Sequence, residues 1–453
     1  MVKGLIRMAL LSTLLGSGTA FPAQGFETIG LYVWRDTPDQ HAFWKACGLN
    51  TLQFCDTGWH QKADLLDDYY ASFAADVASA QRDGFKVWII LFSNIAQWMG
   101  PEDFEPTGTG VKFYPRDKGA LDSRLHYLAK TVRALKAADG FSFFAGDPGG
   151  VPSALGPAEL ADWTNMALEV EAVVKREAPK AKFNLNPWAI AMWVNPELSA
   201  MTSAWWVAEH NTTKALLETE GILGEGSGLE LAGHNYYRAL ALRTLSTEGL
   251  QPELLPTAED ARKLRARGVN RLWAWPYFLL DEADDGDESA AGSIWGQTQI
   301  DSSYIHQYAN QMREVGMTGI IGNWSYNGYL PGALNTYAFG RFANDPAATP
   351  EQVLAEYAHY VADGATAPSL IQIFRFIENY SNWEQKLPPE HRLPAFKCSL
   401  HSARTALARL ETVQVNPAPG FPLPEPPEDY LRRVRGRLET IQAREQKHSA
   451  SKE

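Results

Sequence analysis

A short apolar run, a polar loop and an amphipathic stretch of helical spacing recur in that order along the chain after residue 25. This alternation is typical of strand–helix–strand units, because strands repeat every two residues and helices about every 3.6. The runs interpreted as strands are 28–35, 50–56, 86–93, 141–147, 182–188, 229–237, 271–278 and 319–324. Glycines at 48, 84, 140, 268 and 316 precede five of them and predict left-handed helix caps.

Eight such units predict an α/β chain folded as a (β/α)8 TIM barrel over residues 26–345. The alternative is an open doubly wound sheet, whose nucleotide-binding members carry glycine-rich phosphate loops. No Gly-x-Gly-x-x-Gly follows the first strand and no Gly-x-x-x-x-Gly-Lys-Ser/Thr occurs in the chain, which favours the barrel. Beyond Asp345 the pattern becomes helical and predicts a C-terminal all-α domain over 346–446, with a disordered tail over 447–453.

The first twenty residues have the pattern of a secretory signal. Lys3 and Arg7 precede an apolar run over 8–15, and small residues follow up to Ala20. We therefore expect residues 1–20 to be a signal peptide and the protein to be secreted or periplasmic; a buried first helix is the alternative. No later stretch reaches the ~18 apolar residues of a membrane helix, so no membrane insertion is expected after cleavage.

Composition excludes several classes of protein. The chain is 45% hydrophobic and 21% charged, and its 41 basic and 53 acidic residues give 41 − 53 = −12. This acidic balance repels phosphate backbones, so nucleic acid is not an expected partner. The three cysteines and the isolated histidines lack the spacing of a metal site, and we expect no metal or other cofactor. The oligomeric state is left open.

Nearly every predicted strand ends in a Trp or Tyr accompanied by Asn, Asp, His or Arg. Barrel enzymes place their chemistry at these ends. A sugar ring stacks its apolar face on aromatics and offers hydroxyls to amides and carboxylates, so this mixture predicts a carbohydrate substrate. The alternative is that the aromatics fill the core. The predicted substrate-binding residues are Trp34, Arg35, Asp36, Asp56, Trp59, His60, Asn94, Trp98, Asn186, Trp188, His234, Asn235, Tyr236, Trp275, Tyr277, Asn323 and Trp324.

Asp147 is the first catalytic candidate. It follows an apolar strand and opens a glycine-rich turn, where partial desolvation would raise its pKa and suit it to protonate a leaving oxygen. The alternative role for Asp147 is to cap that turn. A glycosidase usually needs a second carboxylate, and Asp281 and Glu282 are favoured because they follow the seventh strand. The other carboxylates considered for that role are Asp36, Asp56 and Glu209.

Three stretches resemble (β/α)8 glycoside hydrolases of the α-glucuronidase and β-hexosaminidase-like types: 146–150, 272–278 and 319–367. The resemblance implies a barrel that continues into C-terminal helices and an acid after the fourth strand, which here is Asp147. This acid is an aspartate rather than the glutamate usual in α-glucuronidases. It also lacks the second, adjacent acid of the hexosaminidase-like enzymes. The stereochemical course therefore stays open.

The sequence thus predicts an exported glycoside hydrolase that acts on a glycan or oligosaccharide. The first alternative is a non-catalytic carbohydrate-binding barrel, a degenerate glycosidase without its second acid. Other barrel chemistry, such as a lyase or a metal-dependent hydrolase, is a further alternative, because one barrel fold hosts many reactions.

Overall fold

The structure is a computed structural model. It describes residues 25–33, 36–56, 66–93, 118–145, 159–195, 203–219, 221–223, 226–232, 256–275, 300, 302–323, 333–380, 399–416 and 420–450.

Eight parallel strands form a closed barrel in which each strand pairs with the next along the chain and the last pairs with the first. The predicted (β/α)8 barrel is confirmed. The strands are β1 (Thr28–Val33), β2 (Thr51–Cys55), β3 (Lys86–Phe92), β4 (Gly140–Phe144), β5 (Lys182–Asn186), β6 (Gly228–Ala232), β7 (Arg271–Trp275) and β8 (Gly319–Asn323).

Helices follow the strands and cover the outside of the barrel. They are α1 (His41–Ala46), α2 (Leu66–Arg82), α3 (Lys118–Ala134), α4 (Leu160–Glu177), α5 (Ala191–Val194), α6 (Ser203–Glu218), α7 (Ala258–Ala266) and α8 (Ser302–Val315). The C-terminal helices are α9 (Ala333–Asn344), α10 (Pro350–Val361), α11 (Ala367–Asn379), α12 (Leu400–Leu410) and α13 (Pro427–Ala450). The last helix runs four residues past its predicted end at 446.

Strand side chains alternate between two environments. Leu52 and Phe54 of β2 belong to the hydrophobic core between sheet and helices. Gln53, between them, instead forms hydrogen bonds with side chains from other strands of the barrel. The same period of two holds in β6, where Leu229 and Leu231 lie in the core on either side of Glu230. Parity along a strand therefore decides whether a residue faces the helices or the barrel interior.

Four of the five predicted glycine caps have a left-handed backbone, with φ between +82° and +89° at 48, 84, 268 and 316. The expectation for Gly140 is wrong. Gly140 is the first residue of β4, without a positive φ, and a Cβ built there would lie 2.6 Å from the ring of Trp88. Its glycine is required by close packing inside the barrel rather than by a turn.

The C-terminal helices pack against the barrel and share its hydrophobic core. Helix α9 approaches so closely that a Cβ on Gly340 would lie 1.9 Å from the carbonyl oxygen of Cys47. Glu378 of α11 accepts hydrogen bonds from Ser302 Oγ at 2.8 Å and from the Ser303 backbone N–H at 2.7 Å, at the start of α8. The residue bounds expected for the two domains stay a prediction.

None of the helices in the described ranges has the length and apolar character needed to cross a lipid bilayer.

Candidate active site

Three predicted substrate-binding residues come together at the C-terminal ends of β5 and β7. Asn186 is the last residue of β5, Trp188 follows it by two positions, and Trp275 is the last residue of β7. The ring centroids of Trp188 and Trp275 are 6.3 Å apart. The structure thus brings an amide and two indoles to the end of the barrel where enzymes of this fold bind their substrates.

Two further rings complete an aromatic floor, which we define as Tyr32, Phe144, Trp188 and Trp275. The Phe144 ring meets Trp275 edge-on at a centroid distance of 5.0 Å, and Tyr32 meets it at 5.5 Å. All four side chains are buried. Their edge-to-face contacts form a packed layer that closes the barrel at the level of the strand ends.

A carboxyl group that the sequence analysis did not select lies inside the barrel. Glu230, in the middle of β6, is completely buried. Its Oε1 accepts hydrogen bonds from Ser142 Oγ at 2.5 Å and Asn184 Nδ2 at 2.9 Å. Its Oε2 accepts from Gln53 Nε2 at 2.9 Å and, more weakly, from Asn186 Nδ2 at 3.4 Å. We call these five residues the Glu230 hub.

The hub carries an electrostatic cost. Burial raises the pKa of Glu230 and its hydrogen bonds lower it; burial prevails, so the pKa lies above the ordinary value of a glutamate. Asn184 links Glu230 to the guanidinium group of Arg271. Arg271 Nε donates a hydrogen bond to Asn184 Oδ1 at 3.1 Å, and Asn184 Nδ2 donates one to Glu230. The sequence feature that points to Glu230 is a single acidic residue flanked by leucines in an apolar strand.

Two arms connect the hub to the end of the barrel. Gln53 Oε1 accepts a hydrogen bond from Trp275 Nε1 at 2.8 Å. Asn186 Oδ1 accepts one from the backbone N–H of Trp188 at 3.0 Å, which forms an Asx turn at the end of β5. Each amide therefore donates to Glu230 with its nitrogen and holds a tryptophan with its oxygen.

The turn after β5 stores backbone strain. Ala189 has φ +64°, and it is the one described residue other than glycine with a positive φ. The left-handed conformation costs an L-residue about 1–2 kcal/mol, and such residues concentrate at functional sites. Ala189 directly follows Trp188, so the strain lies beside the aromatic floor.

We expect Ala189→Gly to raise the free energy of unfolding by up to about 1 kcal/mol. Glycine removes the left-handed penalty but adds chain entropy to the unfolded state, and the first effect is the larger. The matched control is Ala145→Gly, at a buried strand end with ordinary φ, where we expect about 1 kcal/mol of destabilisation. Urea unfolding measures both; a loss at position 189 equal to that at 145 would contradict the strain.

Comparison with solved structures identifies the kind of protein that shares this architecture. A family GH115 4-O-methyl-α-glucuronidase with specificity for decorated arabinogalactans matches with a TM-score of 0.55 and 10% identity, over 93% of this chain and 55% of that one. A family GH138 enzyme targeting pectin rhamnogalacturonan II matches with a TM-score of 0.53 and 10% identity, over 92% of this chain and 70% of that one. The shared property is the fold.

The chain therefore has the barrel fold of glycoside hydrolases, and the distant resemblance expected from its motifs is confirmed at that level. No family model and no curated protein sequence matches it.

Asp56 lies on the other side of the sheet from the hub. It is buried behind the end of β2, where the hydroxyls of Tyr69 and Tyr70 lie 3.4 Å and that of Thr131 lies 3.3 Å from its carboxylate oxygens. These partners belong to α2 and α3, so the structure ties this predicted substrate-binding residue to the packing of helices on the sheet.

Asp36 is likewise engaged outside the barrel. Its Oδ1 lies 2.6 Å from Nε2 of His41 at the start of α1, and the other ring nitrogen of His41 lies 2.6 Å from Asp83 Oδ2. His41 and Asp36 are buried, whereas the Asp83 side chain is half exposed. An imidazole that donates to both carboxylates must carry two protons. Burial lowers the pKa of His41, but the two carboxylates prevail and raise it above 6.5.

This arrangement predicts a pH-dependent stability. Because the folded-state pKa of His41 is raised, its stabilisation is complete below the unfolded-state value of about 6.5 and is lost as the pH rises through the folded-state pKa. We expect the stability advantage of the wild type over His41→Gln to shrink by about 1–2 kcal/mol between pH 6 and pH 9, with the half-exposed Asp83 contributing the smaller share. Urea unfolding of both proteins measures the difference, in which all other titrations cancel. An advantage that is constant or grows with pH would overturn the assignment.

Glu209, considered above as a second carboxylate, accepts a hydrogen bond from the Ala191 backbone N–H at 2.9 Å. It therefore fastens α6 to the start of α5. Asn323 ends β8, and its side chain is outside the described part of the structure. The remaining predicted site residues also lie outside the described ranges: Trp34, Arg35, Trp59, His60, Asn94, Trp98, Asp147, His234, Asn235, Tyr236, Tyr277, Asp281, Glu282 and Trp324.

Within the described ranges, no three His, Cys, Asp or Glu side chains come close enough together to hold a metal ion.

Proposed function

We propose that this protein is an exported glycoside hydrolase that cleaves a glycosidic bond in a glycan or oligosaccharide at the C-terminal mouth of its barrel. The observation that carries the proposal is the closed eight-stranded barrel whose C-terminal end is floored by aromatic side chains, among them Trp188 and Trp275. Aromatic side chains at such a mouth are typical of carbohydrate sites. The fold shared with an enzyme targeting pectin rhamnogalacturonan II and one with specificity for decorated arabinogalactans supports the same class.

In this proposal two carboxylates perform the reaction. Asp147, three residues after the end of β4, protonates the leaving oxygen as general acid. Asp281 or Glu282, six and seven residues after the end of β7, acts as base or nucleophile. Their strands belong to one barrel, so both segments leave the sheet at its C-terminal end.

The other predicted strand-end residues bind the substrate, the aromatic ones by stacking and the polar ones through sugar hydroxyls. Asp36 and Asp56 are set apart from this group by their partners in the helix layer, and Asn186 by its buried partners in the Glu230 hub and the turn after β5. Residues 1–20 direct export and are then removed, which would bring the enzyme to extracellular or periplasmic glycans.

A hydrolysis screen tests the proposal. The protein from Phe21 onward is incubated with aryl glycosides and natural polysaccharides, and released sugar is measured beside calorimetric binding to the same compounds. We expect at least one compound to be both bound and hydrolysed. Binding without release across the panel contradicts the enzyme and favours the carbohydrate-binding barrel. Activity that a chelator abolishes points instead to metal-dependent chemistry.

A further inference from the structure

The Glu230 hub occupies the level of the barrel next to the aromatic floor. Ala232, two residues after Glu230, pairs in register with Trp275, so the hub lies one side-chain level toward the N-terminal end of the strands. Gln53, Ser142 and Glu230 come from β2, β4 and β6, and side chains from alternate strands share a level in such barrels. The hub is therefore the support on which the floor rests.

We propose that Glu230 is a positioning residue for the active site: it orients the amides of Gln53 and Asn186, which in turn fix the Trp275 ring and the turn after β5. This inference rests on the proposed function for its effect on catalysis. Its structural part, the control of Trp275 by Glu230, stands on the hydrogen bonds alone.

The chemistry of the amide explains how one carboxylate sets both arms. An amide donates through its nitrogen and accepts through its oxygen, and a carboxylate only accepts. Glu230 therefore selects the rotamer in which each NH2 faces the hub and each carbonyl faces outward. The outward carbonyl of Gln53 is the acceptor that Trp275 Nε1 needs, and the outward carbonyl of Asn186 holds the Trp188 N–H.

A third amide, that of Asn184, connects Glu230 to Arg271 rather than to the aromatic floor. Asn184 donates to Glu230 and accepts from Arg271, which joins the buried carboxyl to a cation. This arm lowers the cost of a charge at the hub, so Glu230 can accept all four bonds as a carboxylate. An apolar side chain at this position would leave the four donors without an acceptor, so the acid is what fixes the orientation of the amides.

The position of the strained residue supports a functional role for the turn after β5. The Asx bond from Asn186 holds Trp188, and Ala189 with φ +64° comes directly after it. A left-handed alanine persists only where its surroundings determine the backbone. The bond from Trp188 to Asn186 is one of the contacts that hold this turn, beside the bond from the Ile190 N–H to the Pro187 carbonyl.

The test compares Glu230→Gln with Glu378→Gln. Both replace a hydrogen-bonded glutamate by its amide, but Glu378 is only partly buried and lies between α11 and α8, away from the barrel interior. The glutamine at 230 must turn an NH2 toward donors, which forces at least one hub amide to turn or to lose its bond. Two readouts are needed: the Trp275 indole N–H resonance in 15N-tryptophan-labelled protein, assigned with Trp275→Phe, and kcat and KM on a hydrolysed compound.

We expect Glu230→Gln to shift the Trp275 resonance, to speed its hydrogen exchange and to lower kcat by about 10- to 100-fold, since small displacements of a site have effects of that size. Glu378→Gln should change neither readout. The exchanged pair Gln53→Glu with Glu230→Gln should restore the Trp275 resonance and part of kcat, because a carboxylate at 53 accepts from both the indole and the new amide.

If Glu230→Gln does not fold, Gln53→Met removes the acceptor of the Trp275 indole together with the bonds from Gln53 to Glu230 and Ser142, and should give the same shift and loss of kcat. A folded hub variant that is less stable but keeps the Trp275 resonance and kcat overturns the proposal. The hub would then serve only to fill the barrel interior. If the wild type hydrolyses nothing, the proposed function fails, whereas the Trp275 resonance still decides whether Glu230 positions the floor.

Discussion

Glu230→Met is expected to lower the free energy of unfolding by about 4 kcal/mol or more. Methionine fills a similar volume but accepts no hydrogen bond of comparable strength, so the four donors that face Glu230 lose their acceptor inside the barrel. Each buried donor left without a partner costs about 1–3 kcal/mol, and rearrangement among the donors recovers part of the total. Urea and thermal unfolding measure the loss.

The matched control is Leu231→Met, the next residue on β6. Leu231 is also buried but belongs to the apolar core between sheet and helices. A swap of leucine for methionine conserves volume and costs less than about 1.5 kcal/mol. If the two variants lose similar stability, the hydrogen bonds of the hub contribute little and the account of the barrel interior is wrong.

Asp147→Asn is expected to lower kcat by about 10²- to 10⁴-fold while leaving substrate affinity nearly unchanged. An asparagine keeps the shape of the side chain but cannot deliver a proton to the leaving oxygen, and general-acid catalysis contributes a factor of that size. Initial rates of sugar release give kcat, and calorimetry with the same compound gives the affinity. The loss should be smallest for aryl glycosides, whose leaving groups need little protonation.

Asp139→Asn provides the control at the opposite end of the same strand. Asp139 directly precedes β4 and accepts hydrogen bonds from the Val87 backbone N–H at 2.8 Å and from Gln81 Nε2 at 3.0 Å. Residues at the N-terminal face of a barrel serve stability rather than chemistry. We therefore expect it to lower the unfolding midpoint and to leave kcat unchanged. Full activity of Asp147→Asn would remove Asp147 from the mechanism.

The order and position of all eight strands could be predicted from the sequence, because each is a compact apolar run between polar loops. Some predicted ends were too late. The fifth run was predicted to reach residue 188, whereas β5 ends at Asn186, and the fourth was predicted to reach 147, whereas β4 ends at Phe144. Aromatic residues such as Trp188 and Trp275 continue the apolar signal to the end of the barrel, where they pack on one another.

The face on which a residue lies was harder to predict than its position along the strand. Asp56 follows β2 and so has the parity of Phe54, which packs against the helices, rather than that of Gln53 in the barrel. The expectation that functional residues lie at strand ends predicted how far along the barrel Asp56 lies, but not on which side of the sheet. Asn186, by contrast, has the parity that points inward, and the structure places it beside Glu230.

Glu230 could not be selected from the sequence alone. Its partners lie 46 residues away at Asn184 and 177 residues away at Gln53, and only the register of the closed barrel brings them together. A single acid in an apolar strand signals that something unusual is buried there. Which polar residues from the other strands meet it depends on strand register, which a pattern of apolar positions does not encode.

The most direct test of the glycosidase assignment is the fate of solvent oxygen. A compound that the protein cleaves is incubated in water enriched in 18O, and the products are analysed by mass spectrometry before the label exchanges. Hydrolysis predicts one 18O atom at the anomeric carbon of the released sugar and none in the leaving group, because water attacks that carbon. An unlabelled, unsaturated sugar would show elimination instead and would contradict the assignment.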